Sequence, residues 1–105
     1  MASYRVEVTI QARREVRGVP GNMRQRVLRL LRDLEQEPRP GSSQALDTIR
    51  AGIALEPGIE ARRVRLAAWR VVYLVEDEAA RVNVLAIRQR PPYQYDDLQG
   101  LIRSL

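Results

Sequence analysis

The chain contains no histidine and no cysteine in its 105 residues. Without histidine there is no Ser–His–Asp triad, no imidazole general base and no histidine metal site. Without cysteine there are no disulfides and no thiol chemistry, and a zinc site would have to be built from carboxylates alone. Lysine is missing too. All 18 basic side chains are arginine, a bias in keeping with GC-rich coding. Arginine stays protonated, so it binds phosphate well and accepts protons poorly. Any catalysis falls to Arg, Tyr, Asp, Glu, Ser or backbone groups, and the expectation is no metal and no cofactor. No apolar run approaches the ~20 residues needed to span a bilayer. The start, MASYRVEVTI, lacks a basic region followed by an apolar stretch. The expectation is a cytoplasmic protein with no membrane association, folded as one domain over 1–105.

What the chain does have is arginine on strand patterns. Residues 62–90 carry seven arginines against three acids, whereas residues 1–61 carry ten against eight. The three acids, Glu76, Asp77 and Glu78, cluster at a predicted turn, so the strands themselves are basic. Arg65 and Arg70 flank a short turn, Arg88 and Arg90 end the next strand, and Tyr93 and Tyr95 follow. A sheet surface of arginines with tyrosine nearby fits a polyanion, nucleic acid first.

Periodicity supplies the elements. Tyr4–Ile10 alternates as a half-buried strand. Gln11–Arg17 reads as a short helix ended by Gly18 and Pro20. Asn22 is the expected N-cap of a longer helix, with Gln25 as its capping-box partner. Met23, Val27, Leu30, Leu31 and Leu34 form its buried stripe, and Arg24, Arg26, Arg29 and Arg32 its solvated face. Residues 38–43 read as a loop, and 46–60 give no clear pattern. Arg62–Leu66 is a strand with Val64 and Leu66 on one face and Arg63 and Arg65 on the other. Ala67–Ala68 is a tight-turn candidate, although Gly or Asn would mark it better. Trp69–Glu76 and Arg81–Arg88 make a hairpin across residues 77–80. Trp69, Val71, Tyr73 and Val75 share one face of the first strand, and Arg70, Val72 and Leu74 share the other. Both faces are largely apolar, which predicts a central strand, most simply with helices on one side. Residues 95–105 allow a terminal helix with Leu98, Leu101, Ile102 and Leu105 as its stripe. Asp96–Asp97 reads as its N-terminal cap. The fold class is α+β: a twisted, antiparallel-rich sheet with two N-terminal helices on one face and a C-terminal helix. Arg70, costly to bury unpaired, is expected at an edge, in a groove or on an acidic partner.

The run VRLAAWRVVYLVEDEAARVNVLAIRQR, followed by PPYQY, resembles the RelE/ParE superfamily of bacterial type II toxins. The matching features are Arg65, Trp69–Arg70, Tyr73, the acidic turn at residues 76–78, Arg90 and Tyr95. The upstream order of strand, helix and helix matches as well, with LRDLEQEPRPG at the family's helix end. Residues 46–60 are longer than the family pattern. The resemblance to RelE implies cleavage of translated mRNA on the ribosome, by attack of a 2′-hydroxyl on the adjacent phosphate. It implies Arg70, Arg90 and Tyr95 as catalytic residues. Arg63, Arg65, Arg88 and Tyr93 would bind RNA phosphates and bases. The family often carries lysines in the first hairpin strand where this chain has Ala61 and Arg63, which leaves Tyr95 as the base. The resemblance also implies a cognate antitoxin protein as partner. Two alternatives stay open: a ParE-like inhibitor of DNA gyrase that cuts nothing, and an inactive toxin fold that only binds a partner.

Overall fold

The computed structural model describes residues 3–89 and 96–105. The chain forms β1 (Arg5–Val8), α1 (Ile10–Arg17), α2 (Gly21–Asp33), β2 (Ser43–Ala45), α3 (Thr48–Ala51), β3 (Ile59–Leu66), β4 (Trp69–Glu76), β5 (Arg81–Gln89) and α4 (Leu98–Arg103). The strands make one five-stranded sheet in the order β1-β5-β4-β3-β2. β1 runs parallel to β5, and the other pairs are antiparallel. No described helix is long and apolar enough to cross a membrane.

β4 is buried on both faces because its residues are apolar on both. Val71, Tyr73 and Val75 join Val64, Val82, Val84 and Ile87 under α1 and α2, which contribute Ala12, Val27, Leu30 and Leu31, with Leu34 at the C-cap of α2. Val72 and Leu74 join Ala61, Leu85 and Ala86 on the other face, under Leu46, Ile53 and Leu98. Helices on one side are therefore only half the cover. The region around α3 and the short helix α4 close the second face, and burying both faces of β4 is what makes it a central strand.

Several local expectations are corrected. The strand alternation does not reach Ile10, which opens α1 and is 70% exposed. Thr9 ends the strand because its hydroxyl accepts from the Ala12 amide at 3.1 Å and caps the helix. Asn22 is not a cap. α2 starts two residues earlier, at Gly21 after Pro20, with no side-chain cap bond. The ring of Pro20 restricts its φ to −54°, and the Arg24 amide reaches the Pro20 carbonyl at 2.7 Å to close the first turn. The predicted loop ends in a short edge strand, β2, whose register pairs Ser43 with Val64 and Ala45 with Arg62. β3 begins at Ile59, three residues before the predicted start, because its first residues pair with the far end of β4.

Two features of the hairpin set up the functional surface. The β3–β4 turn is the two-residue Ala67–Ala68 link, with Ala67 at φ 53°, the left-handed conformation that a glycine would adopt without strain. In β5, Tyr73 pairs with Val84 but Val72 pairs with Ala86. Leu85 is the extra residue of a bulge, and it turns the remainder of β5 over by one position.

Candidate functional site

Arg65, Arg70 and Arg88 stand opposite one another on three adjacent strands. The register pairs Arg65 with Arg70 and Arg70 with Arg88. Directly opposed residues point to the same face, with neighbouring strands about 5 Å apart. Without the bulge at Leu85, Arg88 would fall on the opposite face. Three arginine residues thus form a row across the turn end of the sheet. Asp77, at the other end of β4, is seven residues from Arg70, roughly 23 Å along the strand at about 3.3 Å per residue. Cations gather at one end of the hairpin and the acidic turn sits at the other.

Of the places expected for Arg70, an exposed edge is not where it lies. It is buried at 6% exposure, and its Nη1 donates to the carbonyls of Ala67 at 3.1 Å and Trp69 at 3.0 Å. The tight turn supplies these acceptors, so backbone oxygens offset part of the desolvation cost. Trp69 and Tyr73 belong to the core side, as predicted. Tyr73 is fully buried, with its hydroxyl donating to the Pro38 carbonyl at 2.8 Å.

Arg65 is exposed at the end of the row. Arg63 lies one step along β3 beside β2, with Nη2 donating to Gln44 Oε1 at 3.2 Å. Its Nε is buried without a hydrogen-bond partner among the described residues. Arg62 donates to the Ser43 hydroxyl and pairs with Glu60. Arg90, Tyr93 and Tyr95 lie outside the described residues.

Arg88 is engaged by two carboxylates. Nε donates to Glu15 Oε2 at 2.7 Å. Nη1 and Nη2 donate to Oδ1 and Oδ2 of Asp97 at 2.7 and 2.5 Å. The pairing with Asp97 and then with Glu15 raises the Arg88 pKa above the ordinary arginine value, against the opposing effect of burial. In turn, the Arg88 guanidinium holds the Asp97 carboxyl below the usual carboxylate range. Asp97 does occupy the N-cap position of α4, but its side chain makes no cap bond there; Arg88 takes it instead.

Glu15 was not singled out in the sequence. Its other oxygen accepts from the Ile87 amide at 3.0 Å. β1 pairs with β5 only as far as Val84, so beyond that point the edge of β5 lacks a strand neighbour. α1 runs alongside instead, and the Glu15 carboxylate satisfies an amide that a strand would otherwise take. No local pattern signals this contact, since 73 residues separate Glu15 from Arg88.

A second polar cluster holds the α2–β2 connection against the far end of the sheet. Arg39 pairs with Asp77 and Glu60, and Tyr4 donates to Asp77 at 2.7 Å.

No protein-family model matches the chain, and no curated protein matches it. Solved structures do. The chain is similar to the archaeal RelE–RelB complex from Pyrococcus horikoshii OT3 at 23% identity. That match covers 87% of this chain and 99% of that one, with a TM-score of 0.72. It is similar to the RelBE2 toxin–antitoxin complex of Mycobacterium tuberculosis at 24% identity, covering 85% and 100%, with a TM-score of 0.64. It is also similar to an arginine-to-alanine double mutant of the E. coli toxin RelE in the free state. There the identity is 20%, the coverage 98% and 99%, and the TM-score 0.65. The chain has the RelE fold, as its motifs led us to expect.

Proposed function

We propose that this protein is the toxin of a type II toxin–antitoxin pair and that it cleaves translated mRNA on the ribosome. The observation that carries the reading is the in-register row Arg65–Arg70–Arg88 on a RelE fold. Cleavage by a neighbouring 2′-hydroxyl needs three things: an aligned backbone, charge stabilisation on the phosphorane and two proton transfers. The 2′-oxygen forms a bond to phosphorus as its proton leaves to a base. The bond from phosphorus to the 5′-oxygen breaks as that oxygen gains a proton. The products are a cyclic phosphate and a free 5′-hydroxyl. Guanidinium forks can bind the phosphorane oxygens without a metal.

In this reading Arg70 stabilises the phosphorane, Arg90 acts at the leaving oxygen and Tyr95 moves the proton. Arg63, Arg65 and Arg88 hold the backbone, and Tyr93 stacks on a base. The rigidity of Arg70 in the tight turn favours the role, because a preorganised cation needs no reorganisation as charge develops. Phosphate contacts position without specifying, so sequence preference would come from the ribosome. The likeness to RelE chains solved with RelB supports a cognate antitoxin as partner. An antitoxin that neutralises the arginine face would bind more weakly at high salt.

Primer extension on one translated mRNA in a cell-free system tests the proposal. New 5′ ends inside codons, appearing only during translation, are expected. A protein that stops growth yet produces no such ends would overturn the nuclease and direct attention to DNA gyrase.

A further inference from the structure

The two carboxylates on Arg88 are not equivalent. The Glu15 side chain is 18% exposed and accepts from three donors of the fold, Arg88 Nε, the Ile87 amide and Gln11 Nε2. The Asp97 side chain is 50% exposed. It makes no cap bond to its own helix, and its two oxygens accept from Nη1 and Nη2 of Arg88. Two parallel bonds from the terminal nitrogens of a guanidinium are also the arrangement in which it receives two non-bridging phosphate oxygens. A phosphate arriving at Arg88 therefore meets an occupied fork, and the occupant is the more exposed carboxylate, not the more sheltered one.

We propose that Glu15 is a positioning residue that aims Arg88 from behind, and that Asp97 is an internal stand-in which a substrate phosphate displaces. The proposal rests on the reading of Arg88 as a phosphate-binding residue. Glu15 holds Arg88 at Nε, which fixes the plane of the guanidinium and leaves the two terminal nitrogens to Asp97. Losing that grip would return the rotamer freedom of a long arginine side chain. Asp97 keeps the two terminal nitrogens of Arg88 paired when no phosphate is bound, while Glu15 stays on Nε. The two carboxylates then have opposite effects on phosphate affinity, although both are ion-pair partners of the same arginine. A purely structural role would give the two substitutions the same sign.

The test uses the full chain labelled with ¹⁵N-arginine and titrated with inorganic phosphate at neutral pH and low salt. The Arg88 Nε–Hε resonance is followed in the unsubstituted protein, in Asp97→Asn and in Glu15→Gln. Asp97→Asn is expected to bind phosphate about threefold more tightly, the size of an exposed competing ion pair. Glu15→Gln is expected to bind about threefold more weakly, with the Arg88 Hε signal broadened. Its amide oxygen still accepts from Ile87, so an unchanged unfolding temperature and Ile87 amide signal verify the fold. The proposal is overturned if Asp97→Asn binds no more tightly than the unsubstituted protein, or if Glu15→Gln binds equally well. Opposite shifts in affinity without any cleavage of translated mRNA would uphold this arrangement and reject the nuclease.

Discussion

Arg39 closes a two-pronged pair on Asp77, with Nη1 and Nη2 each 3.0 Å from a carboxylate oxygen. The contact joins the chain leaving α2 to the β4–β5 turn, 38 residues further on. Tyr4 and Glu60 complete the cluster, so one arginine ties the N-terminal segment, β3 and the hairpin tip together.

This clasp makes stability depend on acid. Arg39, then Tyr4, holds the Asp77 carboxyl below its ordinary value of 3.8, and Arg88 does the same to Asp97. A carboxyl whose pKa is depressed by folding contributes stability above its unfolded pKa. That contribution is lost as pH falls from there through the lower folded value. Urea unfolding between pH 5 and about pH 3 should therefore show a falling midpoint. Asp77→Asn should flatten that fall. An unchanged slope would remove Asp77 from the account.

Tyr73→Phe isolates one buried hydrogen bond. The hydroxyl is fully buried against the Pro38 carbonyl. The phenylalanine leaves that acceptor unsatisfied and should cost about 1–2 kcal/mol in chemical denaturation. A loss much smaller than this would mean that water replaces the hydroxyl.

Ala80 sits at φ 49° in the β4–β5 turn, away from the arginine row. Ala80→Gly relieves a left-handed strain of about 1–2 kcal/mol and adds chain entropy to the unfolded state worth about 0.4–1 kcal/mol. The net expectation is a gain near 0.5 kcal/mol by thermal or urea unfolding. Destabilisation would show that the turn draws on the alanine methyl.

Arg70→Ala should abolish growth arrest on expression and lower mRNA cleavage by about a hundredfold or more, the scale of removing one preorganised donor from a developing oxyanion. Arg70→Lys keeps the charge but loses the fork, and should recover little activity. Circular dichroism should remain native in both. Undiminished toxicity in Arg70→Ala would sink the assigned role.

The contributions of sequence and tertiary structure separate along one physical line. The stripe Val27, Leu30, Leu31 and Leu34 follows from 3.6-residue periodicity, and β4 from apolar residues on both faces. The 77–80 turn follows from a polar break between two strands. These signals are local, because a helix or strand writes its period into its own residues. The RelE resemblance was legible for the same reason, since it rests on short-range spacings such as Arg65 to Trp69–Arg70.

Much of what is missing from the sequence reading involves a partner far along the chain, and the rest a local contact that leaves no period. β2 is three residues long and takes its register from β3. The end of β1 at Thr9 depends on a hydroxyl cap winning over continued pairing. Arg70 is buried because a tight turn folds carbonyls back onto it. The bulge at Leu85 carries no composition signal, yet it decides which face Arg88 occupies. Glu15 reaches Arg88 only because β1 stops short and leaves an edge amide to be satisfied. The arginines of this surface are therefore determined by the sequence. Their alignment into one row, and the carboxylates that hold it, come from long-range pairing, which costs loop-closure entropy and leaves no period in the chain.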